Sequence, residues 1–137
     1  MRIKKNIIYI PISIGELTDK ITILEIKSNR IDSKGKRKII LPELKSLLKK
    51  EKKIYFSNKD EKEKYLKLKK RLYKTNLELW IIEDKLREME SNKNYSIAFI
   101  HLARRVYLSN DKRSEIKNKI NNLVNSKIMD IKQYKSY

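Results

Sequence analysis

The sequence predicts an all-α protein, an antiparallel bundle of four to five helices with one long central helix over residues 60–91. The first observation is a stripe of mostly apolar side chains whose spacing alternates between three and four residues, as a helix lying along a core requires. The second is the scarcity of glycine and proline, two of each in 137 residues, which suits long helices. The length favours one domain, residues 1–137, with its own core. The stripe consists of Tyr65, Leu68, Leu72, Thr75, Leu79, Ile82, Leu86 and Met89.

The central helix carries a second stripe, of aromatic, amide and charged side chains, on roughly the opposite face, because each residue turns a helix by about 100°. A helix surface that faces solvent rarely holds a tryptophan. We therefore expect this stripe to meet another helix, a second subunit or a ligand. Its members are Tyr73, Asn76, Trp80, Glu83 and Arg87.

The isoleucine-rich start, residues 2–12, predicts a short β-strand or extended arm that ends at Pro11, because proline cannot donate to a strand ladder. A lone strand leaves its backbone groups unpaired. We therefore expect the arm to pair with the C-terminal tail, residues 128–137, or across a dimer. The tail itself is expected to be ordered, with Tyr137 near the start of the first helix.

The first helix is expected to begin with a capping box, in which the Ser13 hydroxyl meets the backbone amide of Glu16 and the Glu16 side chain reaches back. Pro42 suits the first turn of the second helix, which is predicted to continue to Phe56. A tight turn follows at residues 58–60. The second and third helices are therefore predicted to form an antiparallel hairpin.

A fourth helix is predicted from Ser96, and a turn and cap at residues 109–111 separates it from a fifth. The turn is predicted because serine, asparagine and aspartate side chains bond to nearby backbone groups and favour caps over helix interiors. The fifth helix carries an apolar set at helical spacing, namely Ile116, Ile120, Leu123 and Val124.

The formal net charge of +18 comes from 35 Lys and Arg against 17 Asp and Glu. Much of the excess lies in residues 34–74, which hold seventeen basic and five acidic side chains. The segment is either a solvated lysine-rich face, which an AT-rich genome also favours, or a surface that binds a polyanion. The second alternative predicts nucleic-acid binding through the hairpin of the second and third helices, with Lys49, Lys50, Lys52, Lys53, Lys69, Lys70 and Arg71 dominating the affinity.

No apolar run approaches the roughly eighteen residues of a membrane span. The apolar start is interrupted by charges and by Pro11, and it lacks the small-residue cleavage site of a signal peptide. We therefore expect a cytoplasmic protein with no membrane partner. The absence of cysteine excludes disulfides, zinc fingers and thiol catalysis.

Two helix faces hold candidate binding residues. The polar face of the first helix, with Glu16, Asp19, Lys20 and Lys27, is either solvated and supported by the Glu16–Lys20 pair or faces a pocket. The fourth helix offers two adjacent arginines near an asparagine and a third arginine. Guanidinium groups match phosphate and carboxylate geometry, so this set is either an anion clamp or a solvated basic face. It consists of Arg104, Arg105, Asn110 and Arg113.

The sequence holds no glycine-rich phosphate loop and no recognisable nucleophile–base set, so we predict no catalytic residues, metal or cofactor. One enzyme alternative remains. Four acids on the first and third helices are superficially similar to those with which all-α nucleotide pyrophosphohydrolases hold Mg²⁺. Lys20 and Arg87 intrude among them, and the second ExxD pair of that pattern is missing. The four acids are Glu16, Asp19, Glu83 and Asp84.

Four stretches stand out as motifs: PISIGELTDKITILEIK near the start, LWIIEDKLRE in the centre, LARRVYLSNDKR later and KSY at the end. Together they resemble a family of small bacterial and phage proteins known only as a domain of unknown function, which implies no activity. The motifs contain polar, aromatic and basic residues from distant parts of the chain, a set that suits a site better than a core. These residues are Glu16, Asp19, Lys20, Lys27, Trp80, Glu83, Asp84, Arg87, Arg104, Arg105, Tyr107, Asn110, Arg113 and Tyr137.

The leading hypothesis is non-catalytic binding, or sequestration, of a small anionic ligand such as a nucleotide signal or a phosphosugar. The arginines of the fourth helix, with Lys20, would hold the charge, and Trp80 or Tyr107 would stack on a base. The alternatives are nucleic-acid binding and the pyrophosphohydrolase-like enzyme. We also expect a homodimer, because the arm and the second stripe of the central helix both present surfaces for a partner.

Overall fold

Four α-helices form the computed structural model, which describes residues 6–128, 131 and 135–137. They are α1 (Ile14–Arg30), α2 (Lys34–Glu51), α3 (Lys59–Ser91) and α4 (Ile97–Leu123). Helix α1 packs against the other three, and α3 and α4 pack against each other. The predicted all-α class is confirmed, with four helices. None of the helices in the described residues is long and apolar enough to cross a membrane.

The long helix α3 begins where an asparagine caps it. The Asn58 side chain accepts a hydrogen bond of 2.8 Å from the backbone amide of Glu61, which satisfies one amide that the helix cannot pair internally. Its aliphatic stripe faces the core as predicted, and the buried members are Tyr65, Leu72, Thr75, Leu79, Ile82 and Met89. The three-four spacing of apolar residues was therefore sufficient to identify the inner face of this helix.

Helix α1 begins with half of the predicted capping box. The Ser13 hydroxyl accepts a hydrogen bond of 3.0 Å from the backbone amide of Glu16, as expected. The Glu16 carboxylate does not complete the box, because it accepts a hydrogen bond from Lys117 of α4 at 2.7 Å instead. A long-range ion pair has replaced the local hydrogen bond from the Ser13 backbone amide.

Helix α2 differs from its prediction in its start, its end and its packing, and it ends at Glu51 and not at Phe56. Ser33 caps it, and Pro42 lies inside the helix, a full two turns after its first residue. Within the described residues α2 packs along α1 and not along α3, so the predicted hairpin of the second and third helices is wrong. The packing follows from hydrophobic burial, because apolar side chains of α2 cover apolar side chains of α1. The core they form contains Leu17, Ile21, Leu24 and Leu44, with Ile40, Leu47 and Leu48 at its edge.

Helix α4 is continuous, so the predicted turn at residues 109–111 and the separate fifth helix are wrong. Ser109 is buried within the helix. The segment lacks glycine and proline, so nothing in its backbone forces a break, and packing on α3 favours continuation. Against α3, α4 contributes Ile116 and Ile120 to a second core cluster with Tyr65 and Leu72.

The buried Tyr65 hydroxyl joins α3 to its neighbours. It lies 3.0 Å from the Thr18 hydroxyl of α1 and donates to the Glu51 carboxylate of α2 at 2.8 Å. Lys69 donates to the same carboxylate oxygen at 2.8 Å. Burial is the main cause that raises the pKa of the Tyr65 phenol, so this hydroxyl stays protonated and available to donate. The network ties the end of α2 to α3 through side chains.

The predicted N-terminal β arm is not found in the described residues 6–12, which form no strand. The side chains of Ile7, Ile8, Tyr9 and Ile10 are all exposed there. The predicted pairing with the tail involves positions 129, 130 and 132–134, which lie outside the described residues, as do positions 1–5. An isoleucine-rich run has high β-propensity, but a strand also needs a partner for its backbone groups.

Candidate functional site

A buried carboxylate lies where α1, α3 and α4 meet. Asp19 of α1 is 1% exposed. Arg113 of α4 donates to it from two nitrogens, Nε to Oδ1 at 2.8 Å and Nη2 to Oδ2 at 2.5 Å. Asn76 of α3 donates to Oδ1 at 2.9 Å and to the Thr22 hydroxyl at 2.9 Å. One ion pair and one amide therefore fix three helices relative to one another.

The charge state of this pair follows from its contacts. Burial would raise the pKa of Asp19, but the hydrogen bonds from Arg113 and Asn76 outweigh it and hold the pKa below its usual 3.8. The pKa of Arg113 is raised, chiefly by its hydrogen bond to Asp19 and against the effect of burial. The pair is therefore ionised throughout the physiological pH range.

A second set of polar contacts fixes the start of α1 on α4. Lys117, largely buried, donates to Glu16 at 2.7 Å, and the Gly15 amide donates to the Asn121 side chain at 2.7 Å. Lys20 lies on the outside, 3.7 Å from Glu16. The polar face of the first helix was predicted to be either solvated or directed at a pocket, and the structure divides it. Glu16 and Asp19 face α4, whereas Lys20 is solvated.

Beside the Asp19–Arg113 pair, the three helices enclose a cleft of about 230 Å³. Its wall combines a half-buried tryptophan, one lysine, one arginine, one carboxylate and two amides with three aliphatic side chains. The lining residues are Ile23, Ile26, Lys27, Asn76, Leu79, Trp80, Glu83, Asn110 and Arg113. The second stripe of α3 therefore faces α1 and α4 at this point, and Trp80 lines the cavity. The stripe lies about 100° from the first and not opposite it as predicted, because its members follow residues of the first stripe by one position.

Five predicted site residues line the cleft, namely Lys27, Trp80, Glu83, Asn110 and Arg113. Asp19 accepts hydrogen bonds from Arg113, and Glu16 forms the neighbouring ion pair with Lys117. The other predicted residues lie elsewhere. Lys20, Asp84 and Arg87 are exposed, and Arg87 lines a separate depression with Phe99.

The predicted anion clamp of the fourth helix is divided among three faces. Arg105 pairs with Glu78 of α3 at 2.5 Å, and Arg104 donates from Nε to the Tyr107 hydroxyl at 3.3 Å. Arg113 is nine residues from Arg104, which places the two about 180° apart on one helix. The continuity of α4 thus separates side chains that a turn at residues 109–111 could have brought together.

Tyr137 lies against the middle of α4, and its predicted place near the start of α1 is wrong. Its ring packs on Tyr107 with centroids 5.3 Å apart, and its hydroxyl donates to Asp111. The side chain remains 79% exposed. The start of α1 contacts α4 about two to three turns beyond Asp111, at Lys117 and Asn121.

Sequence reasoning missed the aliphatic part of the cleft and the role of one amide. Leu79 belonged to the predicted core stripe, and Ile23 and Ile26 carry no polar group that distinguishes a cleft wall from a core. Asn76 was visible in the second stripe, yet only the structure shows it donating to Asp19. A useful signal was its position beside the buried Thr75, on the border between the two stripes.

The four acids of the enzyme alternative are in different environments. Asp19 and Glu16 are engaged by Arg113 and Lys117, while Glu83 and Asp84 are exposed on α3. Across residues 6–128, 131 and 135–137, no three acidic or histidine side chains are grouped as a metal site requires.

Comparison with known proteins gives one match. A family model described as a family of unknown function, DUF6165, matches residues 8–137, which include the basic segment that carries none of the four motifs. No curated protein and no solved structure matches the chain.

Proposed function

The chain belongs to this family of unknown function, and we propose that it binds a small anionic ring compound, such as a sugar phosphate or a mononucleotide, in the cleft between α1, α3 and α4. The observation that carries the proposal is the convergence of Trp80, Lys27 and Arg113, from three different helices, on one cavity. An aromatic face next to two cations suits a ligand with a ring at one end and an anion at the other.

The charges of the cleft define what such a ligand must present. Arg113 directs Nε and Nη2 to Asp19, which compensates much of its charge. Lys27, by contrast, is half-buried and makes no ion pair among the described residues. An anionic group therefore finds its main partner in Lys27. Glu83 on the same wall favours a ligand that also carries hydroxyl or amino donors, as sugars and nucleobases do.

The size of the cleft restricts the ligand further. At about 230 Å³ it falls below the roughly 300–1,000 Å³ of pockets that enclose drug-sized molecules. The monophosphate of one sugar or one nucleoside suits this volume better than a dinucleotide does. The buried Asp19–Arg113 pair holds the wall in place before binding, which lowers the entropy that a ligand would lose in ordering it.

Binding can be followed through Trp80, because it is the single tryptophan of the chain. We expect its fluorescence to change when ribose 5-phosphate, glucose 6-phosphate, AMP or UMP is added, and calorimetry gives the dissociation constant. Adenosine and glucose, which lack the phosphate, should bind at least about tenfold more weakly, because a hydrogen bond to a charged group contributes roughly 1.5–3 kcal/mol.

The variant Lys27→Gln should weaken phosphate-ligand binding by about tenfold or more, because it removes the uncompensated cation of the cleft. The matched control is Lys20→Gln, a change of the same charge on the same helix at an exposed position, and it should change the affinity less than twofold. Failure of every compound to bind at millimolar concentration would contradict the proposal, and so would equal losses in the two variants.

A further inference from the structure

A basic groove runs between α3 and α4, nearer the N-terminus of α3 than the cleft. Its volume is about 650 Å³. Its described lining combines three cations of α3 and one of α4 with two half-buried leucines, Leu68 and Leu123. The lining residues are Lys64, Lys67, Leu68 and Arg71 of α3 with Lys119, Asn122 and Leu123 of α4. Of these seven described residues four are cations, and none is an acid.

The positive charge of the groove is only partly compensated. Lys64 pairs with Asp60 and Lys119 with Glu115, but both pairs are exposed and join residues one turn apart. Pairs of this kind are weak and are screened by salt. Lys67 and Arg71 make no ion pair within the part of the chain that the structure describes. These two exposed cations remain available to an external anion.

Two further features extend the positive field. Lys74 continues the α3 series, so that cations at positions 64, 67, 71 and 74 follow a spacing of three, four and three over about 15 Å of helix. On α4, the pKa of Glu115 is lowered, first by its hydrogen bond from Lys119 and also by the charges of Arg71 and Lys112. The Glu115 carboxylate offsets part of this charge, but the cations of α3 follow one another in a line, which suits a linear anion.

We propose that this groove binds the phosphate backbone of a single-stranded nucleic acid, without preference for its base sequence. Cations along a surface groove suit a chain of phosphates that follows it. A flexible single strand can follow the furrow between two packed helices, whereas a rigid duplex touches only its rim. Among the described residues, the lining contains no aromatic side chain and one side-chain amide, Asn122, so these residues offer no stacking platform and little means of reading bases.

The groove differs from the hairpin that the sequence predicted as a nucleic-acid surface. Lys69 is only 18% exposed and is committed to Glu51. The four predicted lysines of the second helix lie at or beyond the end of α2 and are not among the groove residues. They are Lys49, Lys50, Lys52 and Lys53. Arg71 is the one member of the predicted set that lines the groove. The groove therefore combines cations of α3 with Lys119 of α4, a helix that is distant in sequence.

The salt dependence of binding tests the proposal. Fluorescence anisotropy of a labelled twenty-nucleotide single strand of mixed sequence gives the affinity between 50 and 200 mM salt. Four phosphate contacts predict a slope of log affinity against log salt near −2.8, at about −0.7 for each contact. The double variant Lys67→Gln/Arg71→Gln removes two contacts and should reduce the slope to near −1.4.

The matched control is Lys36→Gln/Lys38→Gln, which removes the same net charge from exposed positions of α2 and should leave the slope unchanged. Both variants change exposed side chains, and circular dichroism checks that the helices persist. Equal effects of the two variants would overturn the proposal, since general charge would then explain the binding. So would tighter binding of the duplex, or binding to phosphatidylserine vesicles without binding of the oligonucleotide.

Discussion

Replacing Arg113 with methionine should lower the melting temperature at pH 7 by roughly 10–20 °C. The substitution leaves the Asp19 carboxylate, 1% exposed, with Asn76 as its remaining side-chain donor. Removing one partner of a buried ion pair costs about 3–5 kcal/mol, because the remaining charge stays out of water without compensation. In a domain of this size 1 kcal/mol corresponds to roughly 3–4 °C.

The loss in Arg113→Met should depend on pH in a defined direction. In the natural chain the pKa of Asp19 lies below 3.8, so the stability that this group contributes is present above its unfolded pKa and is lost as the pH falls through the folded one. In the variant, burial dominates and raises the pKa of Asp19 above its unfolded value. The variant therefore gains relative stability as the pH falls, and its deficit should narrow between pH 7 and pH 4.

Thermal and urea unfolding at both pH values measure this effect. The control is Arg105→Met, which removes an arginine of the same helix from an ion pair with Glu78 that is half exposed on both sides. Exposed pairs contribute at most about 1 kcal/mol, so the control should lose a few degrees and show little change with pH. A deficit in Arg113→Met that is as small as in the control would show that the Asp19 pair does not hold the helices together.

Replacing Gly15 with alanine should lower the melting temperature by roughly 3–20 °C. A β-carbon at this position would lie 2.5 Å from the Lys117 carbonyl oxygen and 2.9 Å from the Asn121 side-chain oxygen. The first is backbone, so α1 must move away from α4. Overpacking costs about 1–3 kcal/mol, and loss of the buried hydrogen bond from the Gly15 amide to Asn121 adds a similar amount. The higher helix propensity of alanine, about 1 kcal/mol, offsets part of this loss.

The second glycine of the chain supplies the control. At Gly35, in the first turn of α2, a β-carbon would meet its nearest neighbour, the Ser33 hydroxyl, at 3.8 Å. Gly35→Ala should therefore be neutral or raise the stability slightly, by reducing the freedom of the unfolded chain. A melting temperature for Gly15→Ala equal to that of the natural chain would contradict the close approach of α1 to α4.

The sequence by itself determined the helical class and the inner faces of the helices that pack most closely. The three-four spacing located the buried side of α3, and the Ser13 cap located the start of α1. These features are local, because periodicity and capping depend on residues within a turn or two. Local signals failed where packing overrode them. Helix α2 begins eight residues before Pro42, and α4 continues through residues 109–111.

Only the tertiary structure decided which charged groups meet. Asp19 pairs with Arg113, 94 positions away, and not with either of the two adjacent arginines earlier on α4. Nothing within one helix distinguishes these arginines, since each lies on a polar face of a regular helix. The choice depends on the register and rotation of α4 against α1. Close packing around Gly15 and the shared core with α3 set that register, and with it the place of the cleft and of the groove.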